Sequence, residues 1–274
     1  LTILLLAEPH FAATWPFFLN DRNNAYIKKN RIPLIILPAL IVIISVIMFF
    51  TIKNLFLLIF FAANVFHVTR QSTGISKLFL TDEKEKNFQT YSIYLFSSLF
   101  FLIGIFRFYF NLMTNMSLIT LSLVILSSIG FLIIIYSLIF KNIKNIYTLI
   151  TGIMIFYPVC FVNNPVHVIL MGVTMHYSQY LVLTYLIEKR RSEENINLQT
   201  DTKQKLLGNF FKILLFYSLA MTLFSYFGRL EISILQNLIL IPIIGQMLHF
   251  YIDSHLWKFS DKHHRENTLK FIGL

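Results

Sequence analysis

The chain has 274 residues, of which 56% are hydrophobic and 13% charged, with 29 Phe, a single Cys and a net charge of +10. A soluble domain of this length has no use for so much apolar surface, so lipid is its expected solvent. No nucleic-acid motif accompanies the positive charge, and the lone Cys160 excludes an internal disulfide and any cysteine-based zinc or redox motif.

A membrane-spanning helix needs roughly 20 mostly apolar residues. In chain order, apolar runs separated by polar joins predict nine spans, near residues 1–19, 32–50, 53–70, 91–110, 116–140, 146–162, 165–187, 207–227 and 232–257. The first residue, Leu1, already lies in an apolar run, so the sequence reads as beginning inside its first helix, with no cleavable signal indicated. No internal repeat is evident. The expected fold is therefore an all-α, polytopic integral membrane helical bundle forming one domain, with a polar loop at 188–206 and a solvated tail at 258–274.

The joins alternate between basic and nearly uncharged. One side collects 19 of the 23 Lys and Arg residues, among them Lys28, Lys29, Arg70, Lys77, Lys189, Arg190, Arg191, Lys258 and Lys270, whereas the opposite joins hold Lys53 and Arg229. Basic loops resist translocation and attract anionic lipid head groups, so the rich side is read as cytoplasmic. This places the C-terminus in the cytoplasm and the chain in the cell (inner) membrane, with the bilayer as its partner.

Ionisable groups inside a span carry a cost of about 2.5–3.5 kcal/mol for charged types, so each calls for a partner or a task. Four histidines stand out: His10 in AEPHFAATW, His67 in FHVTRQSTG, His176 in MHYSQY and His249 in MLHFYIDSHLW. They fall on the first, third, seventh and ninth expected spans, all in the cytoplasmic half of the bilayer. Neutral imidazoles at comparable depth suit iron, zinc or copper without adding charge, and an O₂-activating iron also needs an open coordination position. Glu8, Gln71, Tyr177, Gln179, Tyr180 and Asp253 are candidates to orient the rings or bound water, Asp253 sharing the helical face of His249 four residues on.

Other readings of the same residues are open. Intramembrane histidines also serve as interhelical contacts or proton carriers, in a transporter or an assembly protein. Pro165 and Pro242 could break helices as transporters require, but matching halves are absent from the sequence. A zinc hydrolase would use the same ligands. Arg70 reads equally well as an anchoring cation, His167 as interfacial, His255 as reaching the interface, and His263 and His264 as solvated tail.

The segments EPHFAA, VFHVTRQ, MHYSQY and MLHFYID, in that order and spacing, resemble the bacteriorhodopsin-related-protein-like (Brp/Blh-type) β-carotene 15,15′-dioxygenases. The similarity is one of layout over nearly the whole chain. The family's first motif continues as PHGxxD, whereas Phe11-Ala12-Ala13-Thr14 follows His10 here without a carboxylate, and its third motif has a second histidine where this chain has Tyr180. The resemblance implies a non-haem Fe(II) held by His10, His67, His176 and His249, with O₂ as co-substrate and a polyene or other lipophilic substrate entering from the bilayer. Asp253 or Glu8 would tune the ligands and Tyr180 would lie near the open face. Membrane di-iron hydroxylases and desaturases, with HxxxH and HxxHH boxes, need more histidines than this chain offers.

Overall fold

A computed structural model describes residues 2–110, 116–139, 143–194, 200–230, 232 and 234–272. The fold is all-α, as expected. Its helices are α1 (Glu8–Phe18), α2 (Asn24–Lys29), α3 (Leu37–Thr51), α4 (Lys53–Phe79), α5 (Glu83–Gly104), α6 (Met116–Ile139), α7 (Ile143–Met154), α8 (Pro165–Glu194), α9 (Thr200–Phe227), α10 (Leu240–Leu256) and α11 (Lys262–Asn267).

Among the described residues, seven helical stretches are long and apolar enough to cross a membrane: Ile32–Thr51, Lys53–Phe79, Glu83–Tyr109, Ser117–Ile139, Pro165–Glu194, Leu207–Phe227 and Leu235–Leu256. They correspond to seven of the nine expected spans. The other two are shorter. Residues 3–18 carry Glu8 and His10 and end just past Pro16, and the apolar helix Ile146–Cys160 stops at the single turn Tyr157–Cys160. Large apolar side chains such as Leu40, Ile43, Ile47 and Phe50 on α3 and Leu121, Phe131 and Leu132 on α6 are exposed, a pattern that water would penalise and lipid does not.

Local sequence explains the helix starts. Asp82 accepts a hydrogen bond from the Glu85 N–H at the head of α5, and Asn164 Oδ1 accepts from the N–H groups of Val166 and His167 ahead of α8, whose first residue is Pro165. One-turn π segments, Ile3–Ala7 and Ile32–Ile36, precede α1 and α3, where Pro9 and Pro38 lack the N–H that would continue the ladder.

Within this chain lie two compact units, residues 1–63 with 177–273 and residues 64–176. In the first, α1 packs on α9 and α10, and α3 on α10. Ala12 and Ala13 bring α1 close to Tyr180, Phe210 and Leu214, and a second core joins Phe49 and Phe56 to Leu240 and Ile243. In the second unit, α7 packs on α5 and α6. There Gly172 of α8 lies against the backbone of Ile155, and a Cβ at this position would overlap the Ile155 carbonyl oxygen.

The expected loop and tail differ from their sequence reading. Residues 188–194 continue α8, while 195–199, Lys141 and the side chains of Lys144, Lys203 and Lys205 lie outside the described residues. The tail folds back onto the first unit. Asp261 caps α11 and accepts the Tyr26 hydroxyl at 2.9 Å, and the Tyr26 ring stacks on His263 with centroids 4.3 Å apart. Arg191, its guanidinium 4.3 Å from the Phe17 ring centroid, donates to the Asn267 carbonyl, and Arg190 donates to those of Phe271 and Ile272. Glu194 pairs with Arg22 and Lys270. His264 is 2% exposed, so the tail is packed because its helix-end carbonyls answer the arginines at the end of α8.

The contacts of His263 select a neutral ring. Asn23 turns its amide nitrogen to the Phe17 and Phe18 carbonyls and its Oδ1 to His263 Nε2 at 2.8 Å, so Nε2 is the donor. Asn267 Nδ2 donates to Nδ1 at 3.2 Å, so Nδ1 is the acceptor.

Two outcomes follow from this packing. Gly172→Ala is expected to destabilise the protein by about 1–3 kcal/mol, since a backbone overlap cannot be relieved by a rotamer, and a lower Tm in detergent checks it. Burial holds His263 below the ordinary 6.5 and pushes His264 down to about 4, so the docked tail favours neutral imidazoles while a released tail takes up protons near 6.5. Docking is then complete above pH 6.5 and weakens as pH falls toward 4. Hydrogen exchange in residues 262–271, corrected for intrinsic rates, is expected to quicken between pH 7 and pH 5.

Candidate functional site

The first unit brings together three helices at one buried point. On α1, His10 and Thr14 are one turn apart and share a face; on α10, His249 and Asp253 do the same; α8 contributes Tyr177 and Tyr180. All six side chains are buried. The His10 and His249 rings lie with centroids 4.5 Å apart, and His10 also meets Tyr180 at 4.4 Å and Tyr177 at 4.9 Å.

Thr14 is the hub of the polar contacts. Its hydroxyl donates to Asp253 Oδ1 at 3.0 Å, and the Tyr180 hydroxyl donates to the same oxygen at 2.7 Å. Thr14 Oγ1 also lies 2.6 Å from His249 Nδ1. Since the Thr14 proton goes to the carboxylate, Oγ1 accepts from Nδ1–H, and His249 carries its lone pair on Nε2. Asp253 itself is 3.9 Å from His249 Nδ1, so its influence on the ring passes largely through the threonine. This is the kind of arrangement that fixes the tautomer and orientation of a ligating imidazole.

The second unit holds the other two histidines. His67 on α4 and His176 on α8 are buried, with ring centroids 5.7 Å apart and planes at 83°. His10, His67 and His249 have the ligand type and the burial of a metal-binding set. Helix α8 passes from one unit to the other between His176 and Tyr177. The residue beside one histidine pair is thus covalently joined to a member of the other, about 3.8 Å away between Cα atoms.

Glu8 is 2% exposed, and its Oε2 has no hydrogen-bond partner among the described residues. Gln71 and Gln179 are half-buried and Arg70 is exposed. His255 contacts Ser254 and the Tyr251 ring, and His167 is exposed near the start of α8.

The chain has no match among family models, curated proteins or solved structures. Thr14 is the functional candidate that sequence reasoning passed over. Its signal was spacing: it stands one turn after His10, the position on that face best placed to meet a residue facing the imidazole.

Thr14→Val keeps the shape and removes the hydroxyl, leaving Asp253 and His249 short of a buried partner. The expected cost is about 1–3 kcal/mol, read as a lower Tm in detergent. Thr14→Ser, which keeps the hydroxyl, is expected to retain most of the lost stability.

Proposed function

We propose that this protein is a membrane-embedded non-haem iron oxygenase acting on a lipophilic substrate, with His10, His67, His176 and His249 as the metal ligands. The observation that carries the reading is the peptide bond between His176 and Tyr177: Tyr177 packs on His10, which packs on His249, and His176 packs on His67. Two buried imidazole pairs are tied together at adjacent residues of one helix.

The donor set fits a borderline transition-metal ion. Imidazoles are neutral ligands, and they bring no charge of their own into a lipid-surrounded interior. Fe(II) bound there, with a coordination position left open, would supply O₂ activation. The chain's own residues do the rest. Thr14 holds His249 in the Nδ1–H tautomer, leaving Nε2 as the ligand atom, and Asp253 makes that ring a better donor through Thr14. Tyr180, with its ring against His10 and its hydroxyl on Asp253, closes one side of the pair and limits access of water.

A lipid environment supports a lipophilic substrate class: seven long apolar helices would surround the site with bilayer, and the motif resemblance favours a polyene of carotenoid type, cleaved oxidatively. The basic joins support an inner-membrane location with a cytoplasmic C-terminus.

Metal content by mass spectrometry tests the proposal, on protein purified in detergent and reconstituted anaerobically with Fe(II). About one iron per chain is expected. Single His→Ala changes at positions 10, 67, 176 and 249 are each expected to lower metal affinity by well over the roughly 10–100-fold typical of an orienting residue, whereas His263→Ala leaves it intact. Stoichiometric zinc in place of iron would keep the centre and replace the oxygenase with a hydrolase. No retained metal in the wild-type protein would overturn the centre and return the histidines to proton transfer or helix contact.

A further inference from the structure

Every side chain of the His10–His249 cluster is buried, so an ion or a substrate reaches it only when an element of the first unit moves aside. Three helices form the cluster. Helix α8 runs for 30 residues and α10 for 17, whereas α1 has 11 and stops just past Pro16. On α1, His10, Thr14 and Phe17 follow one another at intervals of four and three residues and share one face, so whatever holds Phe17 also holds the two site residues.

The end of α1 is held by side chains from elsewhere. Asn23 donates from Nδ2 to the Phe17 carbonyl at 3.0 Å and to that of Phe18 at 3.2 Å, two of the last-turn carbonyls that a helix leaves unpaired. The Arg191 guanidinium lies 4.3 Å from the Phe17 ring centroid, and the Trp257 indole stacks on the same ring with centroids 6.0 Å apart and planes at 7°. Two of these three clamps are themselves held by the C-terminal tail. His263 Nε2 donates to Asn23 Oδ1 at 2.8 Å, which keeps the amide nitrogen turned toward α1, and the Asn267 carbonyl accepts from Arg191 Nε at 3.1 Å. The third, Trp257, is where the tail leaves α10, and its ring also meets that of Tyr180 at 5.7 Å.

We propose that residues 261–271 form a latch on α1, with Asn23 and Arg191 as positioning residues, and that its release opens the histidine pair to an entering ion or lipophilic ligand. The latch rests on the reading of that pair as a binding site, and not on which metal it takes. Undocking the tail removes the partners of Asn23 and Arg191. Helix α1 then gives up its end contacts, and His10 and Thr14 withdraw from His249 and Asp253. The contacts at both ends of α1 keep the closed form dominant even when the latch is weakened, so the frequency of opening rises while affinity stays unchanged.

Hydrogen exchange in residues 10–18 reads the latch, and carbethoxylation of His10 and His249 by diethyl pyrocarbonate reads access to the rings. Neither needs a bound metal. His263→Ala is expected to quicken both by about tenfold, the loss of one buried hydrogen bond, and His263→Gln, which returns an N–H near the Nε2 position, to restore them. Asn23→Asp keeps the acceptor for His263 and loses the donor to α1, so residues 10–18 are expected to quicken while the tail stays protected. Gly172→Ala, in the second unit, is the control for general destabilisation and is expected to leave residues 10–18 unchanged. Unchanged exchange in residues 10–18 in either His263→Ala or Asn23→Asp, or an equal rise in Gly172→Ala, would overturn the latch. Metal content on the same samples separates the two proposals. Quickened exchange in α1 of a protein that retains no metal keeps the latch and removes the iron centre, and stoichiometric iron with α1 unmoved does the reverse. In iron-loaded protein, His263→Ala is expected to shorten the residence time of the metal without changing its affinity.

Discussion

A carboxylate between helices in an apolar medium has to be satisfied by the protein, because no water stands by to do it. Asp253 sets that requirement here, and its answer organises the first unit. Its Oδ1 takes one hydroxyl from α1 and one from α8, while Thr14 turns back to accept from His249 on α10. Three helices are held by four side chains, and none of the four can be moved without leaving another short of a partner. Close approach is what makes this possible. Ala12 and Ala13 are small residues of α1 that share a buried cluster with Tyr180, Phe210 and Leu214, which lets the helix pack closely enough for the hydroxyl of Thr14 to reach its partners.

The same economy shows in α8. Over five residues it supplies His176 to the His67 ring, Tyr177 to the face of His10, and Tyr180 to both His10 and Asp253. Near its C-terminal end it changes role, and Arg190 and Arg191 hold the returning tail by its carbonyls. One helix therefore reaches the polar centre of the chain and its C-terminal closure, so a change that shifts its register would disturb both. Gly172, pressed against the Ile155 backbone, guards that register at the other end.

Much of this was legible in the sequence and some was not, for physical reasons that can be named. Long apolar runs gave seven stretches of spanning length, since hydropathy over twenty residues is a strong signal. The other two expected spans are shorter helices among the described residues, since a window sees apolarity and does not see where a helix ends, just past Pro16 or at the Tyr157–Cys160 turn. His10, His67, His176 and His249 stood out because imidazole is conspicuous in a span, and all four are buried. Thr14 did not, since a threonine in a membrane helix ordinarily bonds its own backbone, as Thr69 and Thr184 do. The tail was read as solvated because DKHHREN is charged. Its packing depends on Asn23, Tyr26 and Arg191, more than sixty positions away along the chain, and no local pattern records such partners.

The placement of charge bears on which chemistry the site can support. Both buried carboxyl side chains near the histidines, Asp253 and Glu8, stand at one remove from the rings: Asp253 reaches His249 through Thr14, and Glu8 accompanies His10 two residues away. A divalent ion held by neutral imidazoles alone would keep its full charge in a poorly screening medium, and an anion held behind a ligand through a bridging hydroxyl offsets part of that cost without occupying a coordination position. The Thr14 and Asp253 contacts fix His249 as the Nδ1–H tautomer and turn its Nε2 lone pair outward, an arrangement that serves a metal ligand and a proton-accepting imidazole alike. What separates the two is whether other imidazoles share the ion, and that is why the metal content of the protein decides between them.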